Sequence, residues 1–377
     1  MRRTPRRPRR GPERAPVPRI VAAMSGGVDS SVAAALLARE AAVGGDEVVG
    51  VWMRTHPDRG EGWEPRRGCC STEAADDARR VAQRIGIPFF ILNVEPEFGA
   101  QVIDAFAEAY LGGTTPNPCQ ACNQKIKFDL LARRAVGAYG ADGVATGHYA
   151  RIAHRDGRWR LLRAVDEAKD QTYFLWNLDQ PQLAATRFPL GEMTKPQVRQ
   201  LATEMELPTA ATPESQEICF VPAGDYRALL AERMAYVGES GPIVDGEGRR
   251  LGTHTGFAHY TVGQRRGLGL TASEPHYVRE IRPETNEVVV GSRDDLAARG
   301  FVADARHFVA GAPPAERFEA QVRIRHRAPE VNCEVTLVGS ERMVVETAEP
   351  VWAAAPGQSA VLYLGDECLG GGRIARA

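Results

Sequence analysis

Short apolar runs alternate with helix-spaced apolar positions over the first part of the chain. Residues 19–24 (RIVAAM) form an apolar run that stops at Ser25-Gly26-Gly27-Val28-Asp29-Ser30-Ser31, and an Ala/Leu-rich helix follows to about Ala42. Residues 47–53 (EVVGVWM) read as a second buried strand. Between 71 and 85, Ala74, Ala78, Val81, Ala82 and Ile85 share one helical face. Pro88 leads a third strand at 89–94, 97–111 reads as an amphipathic helix, and 143–146 (GVAT) as a fourth strand. Strands alternating with helices at this spacing predict βαβ units and a parallel sheet.

After His148 the texture changes. Segments 149–154 and 158–163 flank Asp156-Gly157, a hairpin signal. Residues 195–205 read as a helix, and from about Pro213 the chain is glycine-rich and loop-heavy. From about 296 it is mostly strand. Phe318, Ala320, Val322 and Ile324 alternate on one face, and further strands follow at 334–338, 343–346 and 359–363. Several short strands in that span predict a small barrel. The expected architecture is α/β: a Rossmann-like parallel-sheet domain over 17–212, a small central domain over 213–295, and a β-barrel over 296–377.

Composition narrows the class. The 377 residues allow two to four domains. With 43% apolar and 25% charged residues the chain reads as an ordinary globular protein. No run of 18 apolar residues occurs, so no membrane span is expected. The net charge of −1 hides an asymmetry, because residues 1–19 hold eight Arg against one Glu. The remainder is net acidic, so any RNA binding must come from local patches or from the arm. That arm, over 1–16, is Arg/Pro-rich, lacks an apolar segment, and is expected to be disordered rather than a signal peptide. An upstream start is the bland reading and an electrostatic arm for RNA the sharper one.

The sharpest local signal is the loop between the first strand and its helix. Gly26 and Gly27 let backbone approach a ligand, and the following helix N-terminus offers N–H groups and a positive dipole end to phosphate. Ser25, Ser30 and Ser31 add hydroxyls, and Asp29 suits Mg²⁺ held against phosphate oxygens. No Gly-Lys-Ser/Thr follows, so this is not a Walker loop. The bland alternative is a plain Ser/Asp cap with a glycine turn. The strand–SGGxDSS–helix pattern resembles the PP-loop of ATP pyrophosphatases. That resemblance implies ATP with Mg²⁺, bound by Ala23, Met24, Ser25, Gly26, Gly27, Val28, Asp29 and Ser30. It also implies Met53 on the adenine and Gly147 lining the pocket.

Seven cysteines stand at 69, 70, 119, 122, 219, 333 and 368. An odd count without a secretory signal favours cytosolic chemistry over a disulfide framework. Cys333 and Cys368 lie in strand-like runs and read as small buried hydrophobes. Cys119 and Cys122 follow Thr115-Pro116-Asn117-Pro118, so they fall on a loop or a first helical turn, where a thiol is acidified. Three readings stay open for this CxxC: a metal site lacking its second pair, a redox pair, or nucleophilic sulfur chemistry with Cys219 as a distant partner.

A closer resemblance then covers the chain from Arg19 to its end. AMSGGVDSS, GVWM, TPNPCQACNQKIKFD, ATGHYAR, KDQTYFL, FPLGEMTKPQVR, SQEICF, HTGFAHYTVGQRRGLGL and PGQSAVLYLGDECLGGG are similar to segments of the bacterial tRNA-specific 2-thiouridylases. The resemblance implies 2-thiouridine at the wobble position of tRNAs for Lys, Glu and Gln. It implies Cys122 as nucleophile and Cys219 as persulfide carrier, the two able to close a disulfide. Asn117, Pro118 and Cys119 match the stretch that meets the target base, with Cys119 departing from members that carry Asp there. His148, Lys169, Asp170, Gln171, Arg325, His326 and Gln358 match tRNA-contact positions. No metal beyond Mg²⁺ is implied. The partners implied are tRNA and a sulfur donor, either a cysteine desulfurase or a relay protein, for a cytoplasmic monomer. Cys69 and Cys70 take no assigned role and read as buried or incidental, while Gly263-Gln264-Arg265-Arg266-Gly267-Leu268-Gly269 reads as a basic loop near the RNA or as a plain glycine-rich turn. Two alternatives remain: another PP-loop adenylating ligase, such as one for argininosuccinate or GMP, and a zinc-stabilised RNA-binding module.

Overall fold

β1 (Arg19–Ala23) is apolar from Ile20 onward because both of its faces are covered. The structure is a computed structural model and describes residues 18–56, 72–213, 218–221, 225–271 and 274–376. The arm, Cys69 and Cys70 lie outside the described residues. On one face Ile20 and Ala22 pack against α1 (Val28–Gly44) and α2 (Thr72–Ile85); on the other, Val21 meets Leu131 and Ala135. β2 (Glu47–Arg54) divides the same way, with Val48 and Trp52 on the first face and Val49 and Val51 on the second. In α2 the buried positions are Ala75, Ala78, Val81 and Ala82, so Ala75 takes the place expected for Ala74.

The parallel sheet runs β3-β2-β1-β4-β7, with β3 (Phe89–Asn93), β4 (Gly143–Ala145) and β7 (Thr186–Arg187). The chain moves outward through β2 and β3, then returns to place β4 on the other side of β1. This reversal makes a crevice at the carboxyl ends of β1 and β4, where open α/β sheets bind ligands. β7 is only two residues long and carries no pattern to announce it.

The helix expected over 97–111 is three pieces: α3 (Glu95–Phe98), a π-helical stretch Gly99–Asp104, and α4 (Ala105–Leu111). It begins earlier because Pro96 sits in the first turn, where its missing N–H costs nothing. The same rule places Pro118 inside a helix. α5 (Pro118–Ala121) continues through the π-helical stretch Cys122–Leu131 into α6 (Ala132–Tyr139).

The hairpin forms as β5 (Arg151–Arg155) and β6 (Arg158–Leu162), but its neighbour was not legible. After α7 (Gln180–Ala184) and α8 (Lys195–Glu204) comes the middle region. This is less loop-like than its composition suggests, with α9 (Tyr226–Met234) and a four-stranded sheet of β8 (Gly241–Val244), β9 (Arg250–His254), β10 (Tyr277–Arg282) and β11 (Glu287–Gly291). The final region is β12 (Ala297–Phe308), β13 (Arg317–Arg323), β14 (Val331–Val338), β15 (Arg342–Trp352), β16 (Ser359–Leu364) and β17 (Glu367–Ile374). These six close into a barrel through β12–β17, and β17 also pairs with β6 at Glu367–Leu162 and Cys368–Leu161.

Hydrophobic burial holds that junction. Leu161, Leu175, Leu178 and Leu183 share a cluster with Val361, Tyr363 and Cys368. Burying one leucine contributes about 1.5–3 kcal/mol, against about 0.2–1 kcal/mol for an exposed ion pair such as Arg151–Asp366. At the seam Tyr173 donates its hydroxyl to the carbonyls of Ile324 (3.2 Å) and Ser359 (3.0 Å).

Barrel closure requires Gly370. Its φ is +133°, and a Cβ there would lie 2.1 Å from the His307 carbonyl oxygen. Gly370→Ala is expected to lose about 2–4 kcal/mol by urea unfolding. Gly365→Ala, at φ +60° in open space, is expected to lose only about 1–2 kcal/mol. Equal losses at the two positions would show that close approach does not limit closure.

Candidate active site

The SGGVDSS loop leaves β1 and turns into α1 under tight steric control. Gly26 has φ +79°, and a Cβ there would meet the Ala74 carbonyl oxygen at 2.3 Å. Gly27 is the N-cap of α1 and has no side chain to cap it, so the helix's first N–H groups face the crevice. The hydroxyls brace the loop internally. Ser30 Oγ accepts from Ser25 N (3.0 Å), lies 3.0 Å from Ser25 Oγ and donates to the Gly27 carbonyl (3.0 Å), as does Ser31 Oγ (2.8 Å).

The other expected nucleotide residues gather at the same edge. Ala23 ends β1, and Met24 N donates to Val51 O at 2.8 Å. Val28, the first residue of α1, is buried beneath the loop. Gly147, just past β4, lies so close that a Cβ would sit 2.6 Å from Ser30 N. Met53, near the end of β2, packs against two apolar clusters.

Asp29 holds a partner that sequence reasoning missed. Lys195 Nζ lies 2.7 and 2.8 Å from its two carboxylate oxygens, and the Tyr149 hydroxyl donates to Oδ1 at 2.8 Å. Lys195 is the first residue of α8, well inside the protein. It lay in plain view in FPLGEMTKPQVR, but no local pattern shows that its ammonium reaches the loop.

The cysteine segment is built at a helix start. Asn117 is the N-cap and accepts from Gln120 N at 3.3 Å; buried Pro118 and exposed Cys119 follow. Cys122 is half-buried and packs on the cluster of Val94, Phe98 and Phe106. Ile218 and Cys219, from a distant part of the chain, pack on that same cluster, and so does Met53. The barrel clamps the preceding backbone. Thr115 N donates to Pro356 O (2.7 Å), and Gln358 Nε2 donates to the carbonyls of Thr115 (2.9 Å) and Pro116 (3.4 Å).

The remaining expected RNA residues divide by exposure. Lys169 and Arg325 are half-buried at the surface; Arg325 donates to the Ala353 carbonyl (2.7 Å) and lies over the Trp352 ring. Gln171 grips Tyr149 in both directions, its Oε1 accepting from Tyr149 N and its own N–H donating to Tyr149 O, each at 2.9 Å. His148 is buried against Phe128 and Phe188 and lies 2.7 Å from Thr146 Oγ1. The Asp170 carboxylate is enclosed, accepting from Thr172 Oγ1 (2.7 Å) and Ala164 N (3.2 Å). His326 packs at a tilt against Phe174 and reaches the Asp170 carbonyl at 3.3 Å. Arg323, on the strand face opposite Val322 and Ile324, is half-buried and paired with Glu330. Cys333 and Cys368 are buried; burial pushes the Cys333 thiol up to about 12 and the Cys368 thiol higher still.

A family model described as "tRNA methyl transferase HUP domain" matches residues 18–223. A "tRNA methyl transferase PRC-barrel domain" matches 229–292, and an "Aminomethyltransferase beta-barrel domain" matches 298–374. The chain is 49% identical over 366 residues to the tRNA-specific 2-thiouridylase MnmA of Carboxydothermus hydrogenoformans, covering 94% of this chain and 97% of that one. It is 50% identical to the same enzyme of Geobacter metallireducens, covering 94% and 96%. The chain belongs to the tRNA-specific 2-thiouridylase family. Its membership gives the loop, the cysteine segment and the barrel clamp a shared context. No described helix is long and apolar enough to cross a membrane.

Burial, helped by the nearby Lys127 charge, holds the His148 imidazole well below its ordinary value. Unfolding restores that value, so the unfolded chain binds more protons as pH falls through about 6.5. Stability contributed by keeping His148 neutral is therefore full above that pH and declines below it. The urea midpoint is expected to fall between about pH 7.5 and pH 5.5, and His148→Asn should flatten part of that fall.

Proposed function

We propose that this protein replaces the C2 oxygen of a tRNA uridine with sulfur at the expense of ATP. The observation that carries the reading is the shared cluster beneath Met53, Cys122 and Cys219, which joins two distant thiols to the carboxyl edge of the nucleotide sheet. The loop fits a polyphosphate: uncapped helix N–H groups and a buried ammonium converge there, on a turn that the serine hydroxyls brace. Asp29 is the loop's one carboxylate, suited to join phosphate oxygens and water around Mg²⁺, which would neutralise phosphate charge.

The chemistry runs in three exchanges. The uracil C2 oxygen attacks the α-phosphorus of ATP, and pyrophosphate leaves with the bridging electron pair. The terminal sulfur of a Cys219 persulfide attacks C2, and AMP leaves. The Cys122 thiolate then attacks Sγ of Cys219, releasing 2-thiouridine and leaving a Cys122–Cys219 disulfide that an external dithiol reduces. Asn117, Pro118 and Cys119 meet the base, which must leave its stack to expose C2. Lys169, Arg325 and His326 border its path, while His148, Asp170, Gln171 and Gln358 hold the surrounding loops. The substrate reading is the wobble uridine of tRNAs for Lys, Glu and Gln, with a cysteine desulfurase or relay protein as sulfur donor, in a cytoplasmic monomer.

The test is nucleoside mass spectrometry on unmodified tRNA-Glu incubated with protein, ATP, Mg²⁺ and a persulfide donor. New 2-thiouridine is expected, and it should vanish without ATP and in Cys122→Ser and Cys219→Ser. Undiminished thiolation in Cys219→Ser would overturn the persulfide role. Pyrophosphate release without any thiolated nucleoside would favour another PP-loop ligase. Stoichiometric zinc with no AMP formed would favour an RNA-binding module.

A further inference from the structure

The turn that carries Cys219 is anchored by the next residue. Residues 218–221 close on themselves, with Val221 N donating to the Ile218 carbonyl at 3.1 Å. Cys219 and Phe220 are the two central residues of that turn. Cys219 is half-buried, whereas Phe220 and Val221 are only 5% and 7% exposed. The Phe220 ring meets Phe98 edge-on, with centroids 5.8 Å apart at 80°, and meets Phe106 at 5.4 Å and 89°. Edge-to-face is a geometry that aromatic quadrupoles prefer, so the ring has a set orientation as well as a set depth.

The walls of that pocket belong to the core that also carries Cys122. Phe98 ends α3, Phe106 lies in α4, and Cys122 packs on the same cluster. Phe106 is held in turn by Tyr110 at 5.0 Å and by Tyr226 at 6.5 Å, both edge-on. Tyr226 opens α9 and stacks on Tyr110 at 4.3 Å, and Arg233 of α9 pairs with Asp104 at 2.8 Å. One ring, Phe106, thus receives the chain at Phe220 and again at Tyr226. The Cys219 turn cannot slide past Cys122 without emptying a close-packed aromatic pocket. That constraint matters for a thiol pair, because a disulfide forms only when the two Cβ atoms stand about 3.5–4.5 Å apart.

We propose that Phe220 is a positioning residue for sulfur transfer, its ring wedged between Phe98 and Phe106 so that the Cys219 turn is held within disulfide reach of Cys122. The inference rests on the thiol-pair reading above. In the last exchange of that reading, Cys122 bonds to Sγ of Cys219. The bond from that Sγ to the transferred sulfur breaks, and its electron pair leaves with 2-thiouridine. Phe220 acts through the place of Cys219 and takes no part in making or breaking these bonds.

The test is the equilibrium of the Cys122–Cys219 pair with glutathione, read on the full chain by peptide mass spectrometry. Glutathione disulfide takes two electrons and two protons from the thiols and leaves as two glutathione thiols. The unmodified protein is expected to close the disulfide, and Phe220→Ala should lower its equilibrium constant at least tenfold. Phe220→Val replaces that variant should it fail to fold, with at least a threefold fall expected. Leu230→Ala opens a cavity in the same cluster from α9 and controls for loosening alone. Its constant should stay within twofold of the unmodified protein. A Phe220 variant that also stays within twofold would overturn the positioning role, as would an equal fall in Leu230→Ala. An unmodified protein that closes no Cys122–Cys219 disulfide at any glutathione ratio would overturn the thiol-pair reading together with it.

Discussion

The approach of Gly147 to the first turn of α1 governs the rest of the candidate site. A methyl group at 147 would stand 2.6 Å from Ser30 N, so the segment after β4 reaches the first turn of α1 only because that residue has no side chain. From this contact the neighbouring positions follow. Tyr149 lies two residues on and reaches Asp29, and Gln171 grips Tyr149 in turn. Gly26 plays the matching part on the other side, where the backbone of α2 lies against it. A loop fixed on two sides by backbone keeps its N–H groups aimed without help from a ligand.

The barrel contributes more than a platform. Its turn at Pro356 and Gln358 hydrogen-bonds the residues just before Asn117, so the start of the cysteine helix is set by a domain at the far end of the chain. The seam is fastened by apolar contacts and by a buried polar set. Arg163 lies over the Tyr363 ring at 3.8 Å, Glu330 pairs with both Arg163 and Arg323, and Asp170 closes on Thr172. Such a network is rigid while complete and costly when one member is lost. Distances between nucleotide loop, thiols and barrel surface therefore move together or not at all.

The fold class was legible because period and burial carry it. β1 and β2 are read from apolar runs that two covered faces demand, and α2 from one apolar face; β3 reads as an apolar run too, but it is the edge strand and leaves Phe90 and Ile91 exposed. Partners were less legible. The hairpin of β5 and β6 announces itself through Asp156-Gly157, but its pairing with β17 depends on a strand some two hundred positions away. β7 is two residues long and α9 only 9, so neither has enough periodicity to stand out. Arg323 shows how an alternating strand misleads: its outward face is water in an isolated sheet, but here Glu330 pairs with it and Asp170 of the first domain stands 3.8 Å away.

Chemistry-bearing residue types and their local spacing were determined by the sequence alone. SGGVDSS between strand and helix, the proline-flanked CxxC and the lone distant Cys219 each follow from short-range geometry. Tertiary structure alone decided which of these stand together. It set Met53, Cys122 and Cys219 on one cluster, closed Asp170 and His148 away from solvent, and brought Lys195 to Asp29. The physical reason is range. Backbone period and capping act over a few residues, whereas packing and charge pairing depend on distance in space, and distance in space is fixed only when the whole chain has folded.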